Sequence, residues 1–309
     1  MGKIAFIFPG QGSQYVGMGF SIYENYERVR GIYDMSEKIL GIPIKRISFD
    51  GPEEELRESK NAQVAIVIHS YAIYSILEQW IKPDIVAGHS LGEYSALVAS
   101  GAINFSDALH LVRLRGELMS LAGKKSPGTM AAIIGLKPDD VKEICEGLKG
   151  EGIINPANYN SLMQTVITGE IPLVSKAMKI AKEKGAKRTI ALKVSGAFHS
   201  QLMEDVFVPF KKILLRQKFR SPEIPIVVNV TGDIVRDERD VRNAITEQIL
   251  NPVQWVKTLS TIEAAGVKTF IEIGPGKVLS GLVKRTLGNI SIRNIDDAES
   301  LERFREEFE

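Results

Sequence analysis

The apolar run Ile85-Val86-Ala87 passes through Gly88-His89-Ser90-Leu91-Gly92 straight into the helix-forming residues Glu93 to Ala99. Strand, G-x-S-x-G and helix, in that order, is the setting in which a serine is held on a sharp turn with its hydroxyl exposed. The flanking glycines let the backbone bend tightly and let the helix pack on its neighbours. The Leu91 N–H lies at a helix N-terminus, whose partial positive charge favours an oxyanion. The five-residue pattern alone arises by chance in roughly one chain of this length in ten, so the flanks carry the reading. Ser90 is either a nucleophile or the capping serine of a Gly-rich turn.

The same strand-to-helix alternation recurs along the chain. Ile4 to Phe8 reads as a buried strand ending at Pro9. A helix from Ala62 to Trp80, capped by Asn61, precedes the Pro83 break and the strand that leads to Ser90. Asn104 with Asp107 resembles a capping box for a helix running to Ala122. Gly123-Lys124-Lys125-Ser126-Pro127-Gly128 reads as a linker. After it come a strand (130–134), a helix (138–148), two short strands (153–158 and 165–168), a helix (172–184) and a strand (189–194). That β-α-β-β-α-β order is a ferredoxin-like unit.

Beyond His199 the alternation resumes: a helix through Lys212, a strand at 226–228, helices around Ile245 and Leu259, a strand at 270–273, a helix from Val278, a short strand and a charged helix. The expected fold is α/β. A large α/β-hydrolase-like domain (1–125 and 196–309) with a mostly parallel sheet carries an inserted small ferredoxin-like domain (126–195), and the site lies at the carboxyl ends of the strands.

Composition narrows the class. The 309 residues are 44% hydrophobic and 25% charged, with net charge +1, which gives no support for nucleic acid or a membrane surface as partner. No apolar run approaches the ~20 residues of a membrane helix. The start is too short in apolar residues for a signal peptide, and Phe6 stands where myristoylation wants Ser or Thr. The single cysteine, Cys145, fits a reducing compartment and a buried helical position. The expectation is a cytoplasmic monomer.

A serine nucleophile needs a base, and there are four histidines. His89 is adjacent to Ser90, so its side chain should diverge. His69 lies in an apolar helix and His110 toward the polar side of another. His199, in Gly196-Ala197-Phe198-His199-Ser200, remains, with a capping or surface role as its alternative. Pro9-Gly10-Gln11-Gly12-Ser13-Gln14 follows the first strand and can turn backbone N–H groups toward a ligand. Tyr15 in place of a third glycine excludes a dinucleotide fingerprint, and Val278 excludes a P-loop at Gly274-Pro275-Gly276-Lys277.

One charge is out of place. Leu111, Val112, Leu114, Leu118, Met119 and Ala122 surround the direction of Arg115 on its helix, whereas Arg113 and Glu117 point away. A buried arginine must be paired. It is either in an internal salt bridge or awaiting the carboxylate of a substrate, held by both guanidinium nitrogens.

At these residues the chain closely resembles the malonyl-CoA:acyl-carrier-protein transacylases of fatty-acid synthesis and the acyltransferase domains of polyketide synthases. The matching segments are 8–14, 88–93, Arg115-Gly116, 196–200, Asn229-Val230-Thr231-Gly232, Asn251-Pro252-Val253 and Glu272-Ile273-Gly274-Pro275-Gly276. The resemblance implies that Ser90 becomes acylated and that His199 is general base and then general acid. It implies an oxyanion hole at the Gln11 and Leu91 N–H groups, and Arg115 on the malonyl carboxylate. Phe198 and Met119 would join Arg115 at the substrate, Phe198 in the form that goes with malonyl selection. A backbone carbonyl, at Gln248 here, would orient the histidine. Malonyl-CoA and acyl carrier protein are the implied partners, without metal or other cofactor. A serine hydrolase of the α/β-hydrolase type, a silent carrier-docking module and service to a polyketide pathway are the rivals. Lys187-Arg188 and Lys284-Arg285 are basic pairs that an acidic carrier could meet, though such pairs are usually solvated surface.

Overall fold

The stretch KIAFIF forms β1 (Lys3–Phe8), buried from its second residue onward. A strand apolar on both faces needs cover on both sides, and β1 lies at the centre of a parallel sheet. It pairs in parallel with β2 (Ile85–Gly88) on one side and with β9 (Val267–Ile273) on the other. The remaining strands of this sheet are β7 (Ile226–Val227), β8 (Ile234–Val235) and β10 (Ser291–Ile295), in the order β10-β9-β1-β2-β7-β8. Only β8 runs antiparallel to its neighbour. The chain builds outward from β1 through β2 to β7, then returns to the opposite side for β9. The crevice at the carboxyl ends beside β1 is therefore a topological switch point. The structure, a computed structural model, describes residues 2–307.

The second sheet has the order β4-β5-β3-β6, from β3 (Thr129–Ile134), β4 (Ile154–Ser161), β5 (Gln164–Gly169) and β6 (Arg188–Ala191). All of its neighbours are antiparallel. Ala131, Ile133 and Ile167 face a separate core with Val141, Ile144, Cys145, Leu173 and Val174 from helices Pro138–Leu148 and Ile171–Glu183. The alternate residues Met130, Ala132 and Val166 join the main core instead, as the two-residue period of a strand requires. Strand order and crossovers are those expected for a β-α-β-β-α-β unit. Burial pushes the Cys145 thiol up to about 12, so it behaves as the small apolar residue it was expected to be.

Two close backbone approaches hold the small sheet's neighbourhood against the rest of the chain. Helix Phe105–Lys125 is capped by the Asn104 side chain, which accepts the Asp107 N–H at 2.8 Å. It continues to Lys125 and not merely to Ala122, taking in the first half of the expected linker. Gly123 serves close packing there and not a turn: a Cβ would lie 1.7 Å from the Ser195 carbonyl oxygen. The returning chain crosses directly over that helical glycine. Lower down, Val253 N–H donates to Ala157 O at 2.8 Å and Tyr159 N–H donates to Val253 O at 2.9 Å, a short parallel bridge from β4 to the segment just before helix Trp255–Ala264.

Other boundaries differ from expectation. The buried helix before β2 spans Ser59–Leu77, so Asn61 is inside it. Its amide closes the preceding helix Glu53–Arg57 by donating to Glu55 O at 2.8 Å. Residues 78–81 form a closing turn on carbonyls 74–77. The strand at 226–228 stops at Val227 because Val228 N–H bonds Asp233 O across a turn. The helix after His199 begins as a short 3₁₀ turn at Gln201–Met203 and runs over Glu204–Leu214. The last strand of the small sheet ends at Ala191, where the chain leaves for the large one.

Candidate active site

The turn after β2 is locked from three sides. A Cβ on Gly88 would lie 2.0 Å from the Gly92 carbonyl, and one on Gly92 would lie 2.0 Å from Phe8 O. Strand, turn and helix can close this tightly only with glycine at both positions. Ser90 sits in the left-handed region with φ 51°, a conformation that costs a non-glycine residue about 1–3 kcal/mol and must be held by its surroundings. Asn229 holds it: its Oδ1 accepts the Ser90 N–H at 2.6 Å and its Nδ2 donates to Gly88 O at 2.6 Å.

The Ser90 Oγ is 2.8 Å from His199 Nε2. His199 is also left-handed, φ 58°, and Asn155 Nδ2 donates to its carbonyl at 2.9 Å. His199 Nδ1 faces two carbonyl oxygens, Gln248 O at 2.9 Å and Asn251 O at 3.0 Å. Carbonyls only accept, so the proton belongs on Nδ1 and the lone pair on Nε2 points at the serine. Burial, reinforced by the Arg115 charge and only partly opposed by the carbonyls, holds the imidazole down to about 3. It is neutral at physiological pH, as a base must be.

Arg115 is 1% exposed. Its Nη1 donates to Gln63 Oε1 at 2.8 Å, and its Nη2 to Gln248 Oε1 at 3.2 Å and to Ser90 Oγ at 3.3 Å. The guanidinium lies 5.7 Å from the Tyr94 ring centre, and Nε has no hydrogen-bond partner. Among the described residues no carboxylate forms a salt bridge with it. The internal ion pair that would have made Arg115 purely structural is not formed. Arg113, expected to be solvated, is instead part-buried and bonds Glu117 at 2.6 Å and Lys60 O at 3.2 Å.

Gly10 brings the β1 loop against the elbow, since a Cβ there would meet His89 O at 2.4 Å. The Gln11 side chain is fixed by Ser59 Oγ at 3.0 Å and Gln63 Nε2 at 3.2 Å. Among the described residues, neither Gln11 nor Leu91 donates its backbone N–H to a protein acceptor, while Leu91 immediately precedes the helix at Gly92. A cavity of about 310 Å³ is lined by Gln11, Ser90, Arg115, Met119, Phe198 and His199. Leu91 and Gln248 stand behind that lining, both fully buried.

The other histidines go elsewhere. His89 Nε2 is 2.7 Å from Asn160 Oδ1 and turned away from the serine. His69 bonds Asp296 at 3.1 Å through Nε2, leaving Nδ1 unpartnered, and His110 is exposed. Contributors that carried no assigned role in the sequence reading include Asn155, Asn229, the Asn251 carbonyl, Gln63 and Glu93. Asn229, Asn251 and Glu93 lie within matching segments. Gln63 is a polar residue on a helix buried on all sides, which is itself a signal.

Comparison with known proteins identifies the architecture. The acyl transferase domain family matches residues 5–308. The malonyl CoA-acyl carrier protein transacylase of Bacillus subtilis (strain 168) is 42% identical over 304 residues, covering 98% of this chain and 96% of that protein. The chain belongs to the malonyl CoA-acyl carrier protein transacylase family. An acyl-carrier-protein S-malonyltransferase structure from Burkholderia pseudomallei superposes on this transacylase fold with TM-score 0.94, at 41% identity, covering 98% and 99% of the two chains. A malonyl-transacylase solved in complex with its type II PKS acyl-carrier protein gives TM-score 0.95 at 37% identity, covering 99% of each chain. Among the described residues no acid, histidine and cysteine cluster has the makings of a metal site, and no helix is long and apolar enough to cross a membrane.

Proposed function

We propose that this transacylase moves a malonyl group from coenzyme A to the phosphopantetheine thiol of acyl carrier protein through a malonyl ester on Ser90. The observation that carries the reading is the meeting, in one cavity, of a serine–histidine pair with a guanidinium that has no anionic partner. In malonyl-CoA one methylene separates the thioester carbonyl from a carboxylate. A carboxylate on Arg115 therefore brings the carbonyl to the neighbouring Ser90 Oγ.

The cycle balances on the residues present. His199 Nε2 takes the Ser90 proton as Oγ attacks the thioester carbonyl. The Gln11 and Leu91 N–H groups receive the oxyanion, each worth about 3 kcal/mol of barrier. The C–S bond breaks and the proton on Nε2 goes to the departing sulfur, releasing CoA. The carrier thiol then gives its proton to His199, its sulfur attacks the ester carbonyl, and Ser90 regains its proton as the C–O bond breaks. Phe198 and Met119 line the acyl pocket, and the Gln248 carbonyl keeps the base aligned. We place the large domain at 1–125 with 196–309 and the small one at 126–195, in a cytoplasmic monomer that uses no metal or other cofactor and serves fatty-acid synthesis.

A hydrolase would share Ser90 and His199, but it gives no reason for Arg115. The test is product analysis with malonyl-CoA, with and without holo acyl carrier protein. Malonyl carrier protein should form, with little free malonate in either case and parallel reciprocal plots for the two substrates. Free malonate released at the same rate without carrier would make the protein a thioesterase.

A further inference from the structure

The helix that opens at Gly92 carries a carboxylate that the transfer chemistry does not use. Glu93 is 1% exposed, and a buried carboxylate is tolerated only when its oxygens are occupied. Its Oε1 accepts the Asn229 N–H at 3.1 Å, and its Oε2 accepts from Gln248 Nε2 at 2.5 Å. The same Gln248 Nε2 donates to Ser90 O at 2.8 Å, and Gln248 Oε1 accepts from Arg115 at 3.2 Å. A carboxylate only accepts and a guanidinium only donates. Between the two, the Gln248 amide has a single orientation.

We infer that Glu93 is a positioning residue for acyl transfer: through the Gln248 amide it fixes Arg115 and the carbonyl that aligns His199, and through Asn229 it fixes the Ser90 turn. The inference rests on the transfer reading above. It gives this carboxylate a protonation requirement. A neutral Glu93 would turn one acceptor into an O–H donor, facing either the Gln248 amide or the Asn229 N–H, which also donate. The relay would break at that contact.

Burial raises the Glu93 carboxyl to about 7, against the lowering by Gln248, Asn229 and Arg115. Other charged and titratable groups stand on the elements packed around it. Arg115 stands on helix Phe105–Lys125 and Tyr94 beside Glu93 on its own helix; burial raises that phenol. His199 is held at about 3, and His89, at the end of β2, is lowered by burial. On the helix Ser59–Leu77, His69 is engaged by Asp296, and Tyr74 by Ala99 O at the far end of the Glu93 helix. Transfer should therefore rise with pH through about 7, as Glu93 ionises.

The test compares wild type, Glu93→Gln and Glu93→Asp in malonyl transfer across neutral pH, with Tm measured for each. Glu93→Gln should lower kcat roughly 10- to 100-fold, less than loss of the base itself, with KM changed less than about threefold. Its profile should lose the acid limb whatever its Tm, because the lost buried hydrogen bond and the removed buried charge act on stability in opposite directions. Glu93→Asp, which keeps the charge, should keep the limb. A Glu93→Gln protein with the wild-type rate and limb would overturn the inference. So would one that loses rate and Tm together while keeping the limb. A wild type that transfers no malonyl would overturn the transfer reading, and this inference with it.

Discussion

His199→Ala should lower malonyl transfer by roughly 10⁴-fold or more, because serine and base act as a unit whose members are not separately useful. The distances leave no substitute: among the described residues, Ser90 Oγ has only His199 and Arg115 within hydrogen-bond reach, and a guanidinium cannot take a proton. Single-turnover acylation with malonyl-CoA measures the effect directly; a loss below tenfold would remove His199 from the chemistry. The same residue sets a stability trend. Its imidazole is held at about 3 in the fold against 6.5 ordinarily. The unfolded chain binds the proton more readily, so the stability contributed by neutral His199 is present above 6.5 and lost as pH falls toward 3. His199→Ala should be less sensitive to acid over that window.

Arg115→Ala should separate substrates more than it slows chemistry. A desolvated carboxylate–guanidinium contact is worth about 2–5 kcal/mol on truncation, so kcat/KM for malonyl-CoA should fall roughly 30- to 5,000-fold. Acetyl-CoA has no carboxylate to lose, and its transfer should change by less than about tenfold. Equal losses with both acyl groups would make Arg115 a structural residue. Arg115→Met adds a second readout. It replaces the buried cation with an apolar chain of similar length, so malonyl selectivity should disappear even though the side chain still fills the space. Tm should fall, because the Gln63 and Gln248 oxygens lose their donor.

Much of this site was legible along the chain because its signals are local. The turn at Ser90 is announced by the strand before it, the helix after it and the glycines between. Arg115 stands out against Leu111, Leu118 and Ala122 at helical spacing, and Asn104 caps where its residue type says it should. The ferredoxin-like unit is legible because each of its elements follows the last within a few residues.

What stayed hidden depends on distant encounters. Asn229 clamps Ser90 across 139 positions, and Gln248 reaches Glu93 across 155; Asn229 and Glu93 lie in segments that match the family, but no local pattern gives either contact. Gly123 reads as a linker until Ser195 is seen crossing it. Residues 20–57 gave no pattern, and they hold Phe20–Asn25, Ile44–Phe49 and Glu53–Arg57, helices of five or six residues without side-chain caps, around the longer Glu27–Leu40. Such short helices exist only by packing.

The most direct test is intact-protein mass after brief mixing with malonyl-CoA, with Ser90→Ala alongside and holo acyl carrier protein added last. The account predicts a single malonyl adduct on the wild type, none on Ser90→Ala, and its discharge onto the carrier thiol. An adduct that survives in Ser90→Ala, or one that water removes as fast as the carrier does, would contradict it.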